Sequence, residues 1–174
     1  MNKDEIDLKL KKIKLLVLDI DGTMTNGDIY FGSTGEQLKQ FYVKDGMGIT
    51  LIKKANIKVA FLTSESSEIV IARAKKLKID KTILGSKNKS SDLENLAKEL
   101  QVNLNEIAYV GDDVNDLHAM KKVGFSACPA DAIKSIKEIS DMVLSFNGGA
   151  GAIRELTDMI LESQGKPLTL TENW

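Results

Sequence analysis

Short apolar runs alternate with longer amphipathic segments along most of the chain. The runs Lys14–Leu18, Lys58–Leu62, Lys81–Leu84, Ile107–Val110, Gly124–Ala127 and Asp141–Leu144 have the length of buried strands. Between them, helical spacing predicts helices at Gly46–Ala55, Ser67–Leu77, Ser90–Leu100, Asn115–Val123, Ala132–Ile139 and Ala150–Leu161. In the third of these, Leu93, Leu96, Ala97 and Leu100 fall at i, i+3, i+4 and i+7, a single stripe on a helix. Regular alternation of this kind predicts an α/β fold, with a mostly parallel sheet flanked by helices on both faces. One segment breaks the rhythm. Asp28–Val43 has two β-prone stretches around Gly-Ser-Thr-Gly and predicts a β-hairpin that follows the first strand. There is no internal repeat and no linker-like tract, so residues 1–174 read as a single domain. From about residue 165 to 174 helical spacing is absent, and an extended, mobile tail is expected.

Composition narrows the function classes. The 174 residues suffice for one continuous core, and 43% apolar with 28% charged residues is the profile of a globular chain. A net charge of -1 offers no global field for nucleic acid or a membrane surface. The single cysteine excludes an intrachain disulfide and suits a reducing compartment. The first residues, MNKDEIDLKLKK, lack a signal-like apolar stretch, and no run reaches transmembrane length, so a cytoplasmic protein is expected.

The chemistry concentrates where apolar runs end. In LLVLDIDGTMT, four apolar residues lead into Asp19 and Asp21, two carboxylates that repel each other and resist desolvation. Thr63 ends the second run, Lys89 opens a helix, and GDDVND places Asp112, Asp113 and Asp116 after the run Ile107–Val110. A parallel sheet brings the carboxyl ends of its strands to one edge, where these groups would converge. Carboxylates with one lysine and one hydroxyl suit a hard cation such as Mg²⁺ and a phosphoryl group. Each signal also has a plainer reading. An isolated D-x-D-G fits a solvated turn, the GDDVND acids suit the positive end of a helix, and Lys89 has surface-like neighbours in Lys87 and Lys81. His118 reads as a surface or packing residue, and Cys128 as a small buried hydrophobe.

DIDGT, Thr63, Lys89 and GDDVND, in that order, resemble the four motifs of the haloacid dehalogenase superfamily of aspartate-nucleophile phosphatases. The resemblance implies a Rossmann-like fold in which Asp19 is the nucleophile and Asp21 the general acid and base. Thr63 and Lys89 would hold the phosphoryl group. Mg²⁺ would sit on Asp19, the Asp21 carbonyl and Asp112, supported by Asp113 and Asp116. Residues 22–62 are used by the hairpin and one helix, and residues 64–88 hold only one helix and one strand, so no cap domain is expected. A receiver-like phosphoacceptor domain would use similar residues, but its acidic pair precedes a later acceptor aspartate. A non-catalytic scaffold would be marked by loss of Asp19, Asp21, Lys89 or Asp112, and all four are present.

More finely, DGTMTNGDIYFGSTGEQLKQFYVKDGMG, RAKKL, AYVGDDVND and NGGAGAIRE resemble the 3-deoxy-D-manno-octulosonate 8-phosphate phosphatase family. That resemblance implies homotetramers whose hairpins associate and whose sites are completed by a neighbour's surface and C-terminal tail. It also implies that the Gly148–Gly149 turn presents the last helix to an adjacent subunit. Tyr42, Val43, Lys44, Asp45, Gly46 and Arg73 would be substrate-binding. One departure stands out. The family typically reads Thr-Gly-Arg where this chain has Thr63-Ser64-Glu65, and arginine where Thr50 stands. Glu65, with Lys76 on the following helix, resembles the branch acting on nine-carbon acids such as 2-keto-3-deoxynononate 9-phosphate. The expected substrate is therefore a phosphorylated 2-keto-3-deoxy sugar acid, leaning toward nine carbons, in cell-surface polysaccharide synthesis.

Overall fold

A computed structural model describes residues 1–170. Helix α1 (Lys3–Leu10) leads into strand β1 (Leu15–Leu18), which is followed by the hairpin strands β2 (Thr25–Gly32) and β3 (Gly35–Phe41). Then come α2 (Val43–Lys54), β4 (Lys58–Leu62), α3 (Glu68–Lys76), β5 (Lys81–Ile83) and α4 (Lys89–Leu100). The chain continues through β6 (Ile107–Val110), α5 (Leu117–Met120), β7 (Phe125–Cys128), α6 (Lys134–Ile139), β8 (Met142–Val143) and α7 (Ala152–Ser163).

Six strands form one parallel sheet in the order β5-β4-β1-β6-β7-β8. Strand β1 lies inside it, with Leu18 paired to Phe61 on one side and Val110 on the other. Both neighbours and both faces are covered, which is why LLVL is apolar without alternation. Successive side chains still leave on opposite faces. Leu16 and Leu18 join a core with α1, α2, α3 and α7, through residues such as Leu10, Ile52, Val70 and Ile153. Leu15 and Val17 join a second core with α4, α5 and α6, through Leu93, Leu96, Met120 and Ile136. The order of strands reverses direction at β1, between β4 and β6. In an open α/β sheet, that switch point beyond the carboxyl ends is where a ligand crevice forms.

Only the hairpin and α2 separate β1 from β4, and only α3 separates β4 from β5, so no cap domain is inserted at either place. The hairpin forms its own two-stranded antiparallel sheet, closing around Ser33 and Thr34. Strands β4 and β6 have the expected bounds, most other elements shift by one or two residues, and the hairpin starts at Thr25 rather than residue 28; helices α1, α2 and α5 depart further. Helix α1 was unforeseen. Helix α2 starts at Val43 rather than residue 46, because Tyr42 remains extended and the following residues turn at once. Helix α5 shrinks to Leu117–Met120, because Asp116 folds back on the preceding backbone. The expected tail lies partly in residues 171–174, outside the described residues.

Candidate active site

Strand β1 ends at Leu18 and delivers Asp19 to the sheet edge, where its N–H donates to the Val110 carbonyl of the adjacent strand (3.0 Å). Asp19 is buried, 4% exposed. Lys89 is the first residue of α4, and Asn88 caps that helix by accepting the Ser91 N–H at 3.0 Å. The helix therefore starts where the Lys89 side chain can run inward. Its Nζ donates to Asp19 Oδ1 and to Asp116 Oδ1, both at 2.6 Å. An ammonium has three donors, so one remains for a further oxygen.

Asp116 is fully committed within the protein. Its Oδ1 also accepts the Tyr109 hydroxyl at 2.8 Å, and its Oδ2 accepts the Asp112 N–H at 3.1 Å. It fixes Lys89 on one side and folds the acidic loop on the other. Asp112 receives the Thr23 hydroxyl on Oδ1 at 3.1 Å. Ligand atoms of Asp19, Asp112 and Asp116 all lie within 4.8 Å of one another. Three carboxylates against one ammonium leave a formal charge of about −2, the charge a divalent cation would cancel. Hard oxygen donors from Asp19 and Asp112 suit Mg²⁺.

The electrostatics report the same deficit of positive charge. Burial, then the Asp116 carboxylate, push the Asp19 carboxyl well above the ordinary carboxylate range, against the opposing pull of Lys89. Burial and Asp116 likewise push Asp112 up to about 6. Burial alone would lower Lys89, but Asp19 and Asp116 overcome it and hold the ammonium charged. Tyr109 is pushed up by burial and by Asp116, so its hydroxyl keeps the proton it donates.

Backbone geometry supports this arrangement. Gly22 has φ +87°, and a Cβ there would lie 2.1 Å from Asp112 Oδ2, so the turn of DIDGT admits only glycine. The Gly148–Gly149 turn backs the same loop. Gly149 N–H donates to the Thr23 carbonyl at 3.1 Å, and a Cβ on Gly148 would strike the Gly22 carbonyl oxygen at 1.9 Å. Thr63 closes β4 and is buried, and its hydroxyl accepts the Glu65 N–H at 3.3 Å. Asn115 donates to Ser64 Oγ at 3.1 Å, joining the loop after β4 to the acidic loop.

Residues 85–156 match the haloacid dehalogenase-like hydrolase family model. The chain is 41% identical over 158 residues to the 3-deoxy-D-manno-octulosonate 8-phosphate phosphatase of Haemophilus influenzae, covering 91% of this chain and 88% of the relative. It is 39% identical over 162 residues to the enzyme of the same name from Escherichia coli, covering 93% of this chain and 86% of that one. The chain belongs to the 3-deoxy-D-manno-octulosonate 8-phosphate phosphatase family. A cobalt-bound structure of the H. influenzae enzyme superposes with a TM-score of 0.89 at 41% identity, over 90% of this chain and 92% of that one. The Moraxella catarrhalis enzyme, in complex with magnesium, phosphate and the sugar acid KDO, superposes with a TM-score of 0.91 at 38% identity, over 94% of each chain.

Within this family member, the structure brings Asp19, Lys89, Asp112 and Asp116 together, with Asp21 and Thr63 at the same edge. It separates other residues that the sequence grouped with them. Asp113 is exposed, and its carboxylate accepts the Val114 N–H at 2.6 Å rather than joining the acidic group. Val43, Lys44, Asp45 and Gly46 form the first turn of α2, with Tyr42 just before it. Val43 and Lys44 face solvent, whereas Asp45 is turned inward and accepts the Arg154 N–H at 2.8 Å. Asp45 thus serves the N-terminus of α7. Burial raises its carboxyl, and the backbone N–H groups of that helix partly offset the rise. Arg73 lies over the Phe41 ring, 5.2 Å from its centroid, and a Cβ on Gly46 would meet its guanidinium at 2.7 Å. Glu65 is exposed at the site edge. Lys76 is not at the edge. It ends α3, which descends from there, and it lines a cavity with Thr50, Lys53 and Lys54 instead.

Five contributors escaped the sequence reading. Tyr109 looked like one more apolar strand residue. Thr23 lay inside the DGT motif without an assigned partner. His118 and Lys87, set aside as surface residues, line a cavity of about 290 Å³ that opens beside Lys89. Lys39 sits within the hairpin, and its ammonium is buried against Asp21.

Proposed function

We propose that this chain hydrolyses the terminal phosphate of a 2-keto-3-deoxy sugar acid, with 3-deoxy-D-manno-octulosonate 8-phosphate the best-supported substrate. The observation that carries the chemistry is the buried Asp19–Lys89–Asp116 array at the switch point of the sheet. The names of the relatives at about 40% identity support the substrate class. In this reading Asp19 attacks phosphorus in line, a P–O bond to aspartate forms, and the bond to the sugar oxygen breaks. Asp21 gives its proton to that leaving oxygen, then takes one from the water that releases phosphate. Lys89 uses its remaining N–H on a phosphoryl oxygen, and the Thr63 hydroxyl turns to another. Mg²⁺, held by Asp19, Asp112 and the Asp21 carbonyl, would offset the carboxylate charge and that of the phosphoryl oxygens.

The assembly belongs to the same proposal. Ile29, Tyr30, Phe31 and Leu38 stand exposed on the hairpin, and their burial between subunits is the role a homotetramer would give them. Lys76, remote from its own chain's Asp19, could meet a substrate only in a neighbour's site.

A second reading has one observation in its favour. Glu65, exposed after Thr63, places a carboxylate where the eight-carbon enzymes typically place arginine, which suits a nine-carbon acid. Measuring kcat/KM with Mg²⁺ on the eight-carbon 8-phosphate and the nine-carbon 9-phosphate decides between them. Preference for the shorter acid is expected. At least about tenfold preference for the longer one, roughly 1.4 kcal/mol in transition-state binding, would transfer the assignment, and turnover of neither would remove the substrate class.

A further inference from the structure

Position 39 lies on hairpin strand β3, where its neighbours Gln37, Leu38 and Gln40 are exposed. A lysine there ordinarily marks a polar edge. This one does the opposite: no part of its side chain is exposed. Burying an ammonium costs several kcal/mol unless partners surround it. The partners are specific. Lys39 Nζ bonds Asp21 Oδ1 and lies 3.3 Å from Glu36 Oε1. The same Glu36 oxygen accepts the hydroxyl of Ser67, which precedes α3, at 3.2 Å. A chain of contacts therefore runs from the start of α3 through the hairpin to the second aspartate of DIDGT.

The two oxygens of Asp21 are treated differently. Oδ1 is held by Lys39, while Oδ2 is buried and has no partner in the protein. A buried polar oxygen without a partner costs about 1–3 kcal/mol, and among the described carboxylates only Asp45 Oδ2 shares that state. Pinning one oxygen of a carboxylate fixes the plane and direction of the other. Glu36 shares the ammonium, so its charge is partly matched while the hydrogen bond is kept.

We propose that Lys39 is a positioning residue that aims Asp21 Oδ2 at the leaving-group oxygen, with Glu36 and Ser67 bracing it. This rests on the reading of Asp21 as the acid and base of the reaction. When the phosphorus–oxygen bond to the sugar breaks, the proton on Oδ2 passes to the departing oxygen. The same oxygen later receives the proton of the attacking water. Lys39 loses and gains no proton; it sets the angle and distance at which Asp21 does so.

The test separates proton transfer from general damage through the leaving group. A sugar alkoxide needs a proton as it departs, whereas the acidic phenol of p-nitrophenyl phosphate leaves without one. The ratio kcat/KM reports the first, bond-breaking half of the reaction, so it isolates that need. In Lys39→Met, kcat/KM on the sugar-acid phosphate is expected to fall about 10²–10³-fold, and on p-nitrophenyl phosphate no more than about threefold. Lys39→Arg should recover most of the loss. Glu36→Gln, which keeps Lys39 in place, should show the same contrast at smaller size and carries the test if Lys39→Met does not fold. Equal losses on both substrates, or no loss on the sugar-acid phosphate, would overturn the proposal. Asp21→Asn run on the same pair keeps the two readings apart. A contrast in Asp21→Asn without one in the Lys39 and Glu36 variants defeats Lys39 alone, and its absence in Asp21→Asn defeats the acid assignment and Lys39 with it.

Discussion

At the carboxyl edge of the sheet this protein buries Asp19, Lys89 and Asp116, while on the β2–β3 hairpin it exposes Ile29, Tyr30, Phe31 and Leu38. Each region reverses the ordinary sorting of residues between interior and surface. The reversals differ in what they lack. The edge has more negative than positive charge, and its remedy is a divalent cation. The hairpin has apolar area without cover, and the remedy proposed for it is a protein surface. One deficit is electrostatic, confined to a few ångströms and sensitive to pH; the other is spread over a flat ribbon and indifferent to it. Perturbing the two regions should therefore give different kinds of response.

The sharpest break is chemical. Asp19→Asn keeps the size and burial of the side chain but removes the proposed nucleophile, and kcat should drop at least about 10⁴-fold with the circular dichroism spectrum unchanged. Retained turnover in that variant would show that the buried charges serve the fold alone. Next in size is Lys89→Met. It strips Asp19 and Asp116 of the ammonium 2.6 Å from each. Breaking a buried pair from one side costs about 3–5 kcal/mol, so denaturant unfolding without Mg²⁺ should show a loss of that size. A change below about 1 kcal/mol would mean that the pair is solvated in practice.

How far these regions were legible in the sequence follows the same division. Strands β4 and β6 could be bounded to the residue because their apolar runs are covered on both faces. Asp19, Lys89, Asp112 and Asp116 could be grouped because a parallel sheet sends the ends of its strands to one edge. Helix α1 escaped because its apolar stripe is thin, with Ile6 and Leu10 set among charges; its signal was the capping box of Asn2 and Glu5. Lys39 and Tyr109 escaped for a deeper reason. Nothing local distinguishes a strand lysine in water from one sealed against Asp21, nor an apolar tyrosine from one whose hydroxyl braces Asp116. Their roles arise from which segments the fold brings together. Asp45 shows the converse, since its place in a substrate-like motif concealed a structural bond to the start of α7.

Metal should act on the edge with a pH signature. In the metal-free protein the Asp112 carboxyl is raised to about 6 from 3.8, and Asp19 is raised in the same direction. A raised carboxyl means that the folded state holds protons which the unfolded chain has released. Stability of the metal-free protein therefore falls as pH rises from about 4 through about 6, then levels where Asp112 is concerned. A bound cation displaces those protons and removes the cost. At a hundredfold excess over Kd, Mg²⁺ should stabilise by about 2.7 kcal/mol. Below pH 6 each unit should weaken its apparent affinity by up to about tenfold, as proton and metal compete for Asp112. Thermal melts with and without Mg²⁺ at pH 5 and pH 7 read this directly. An equal Tm shift at the two pH values would refute the titration of Asp112 against the metal.

The smallest effect on the chain itself should come from the hairpin, and there the contrast with the edge is most complete. Phe31 is 72% and Leu38 64% exposed. Their replacement by serine removes little that the chain buries, so the stability of an isolated subunit should stay within about 0.5 kcal/mol. Assembly should respond instead. If the hairpins are covered by neighbouring subunits, Phe31→Ser with Leu38→Ser should shift light-scattering mass toward smaller species at equal concentration. The kcat/KM for the sugar-acid phosphate should fall with the fraction assembled and recover as protein concentration is raised. Such a response is independent of pH between 5 and 7, because no titratable group is involved, and it leaves the Mg²⁺-dependent Tm shift in place. A double variant that keeps its mass and its activity would mean that the hairpin's apolar face has some use other than joining subunits. The chain would then need another way to shield an uncapped site from water.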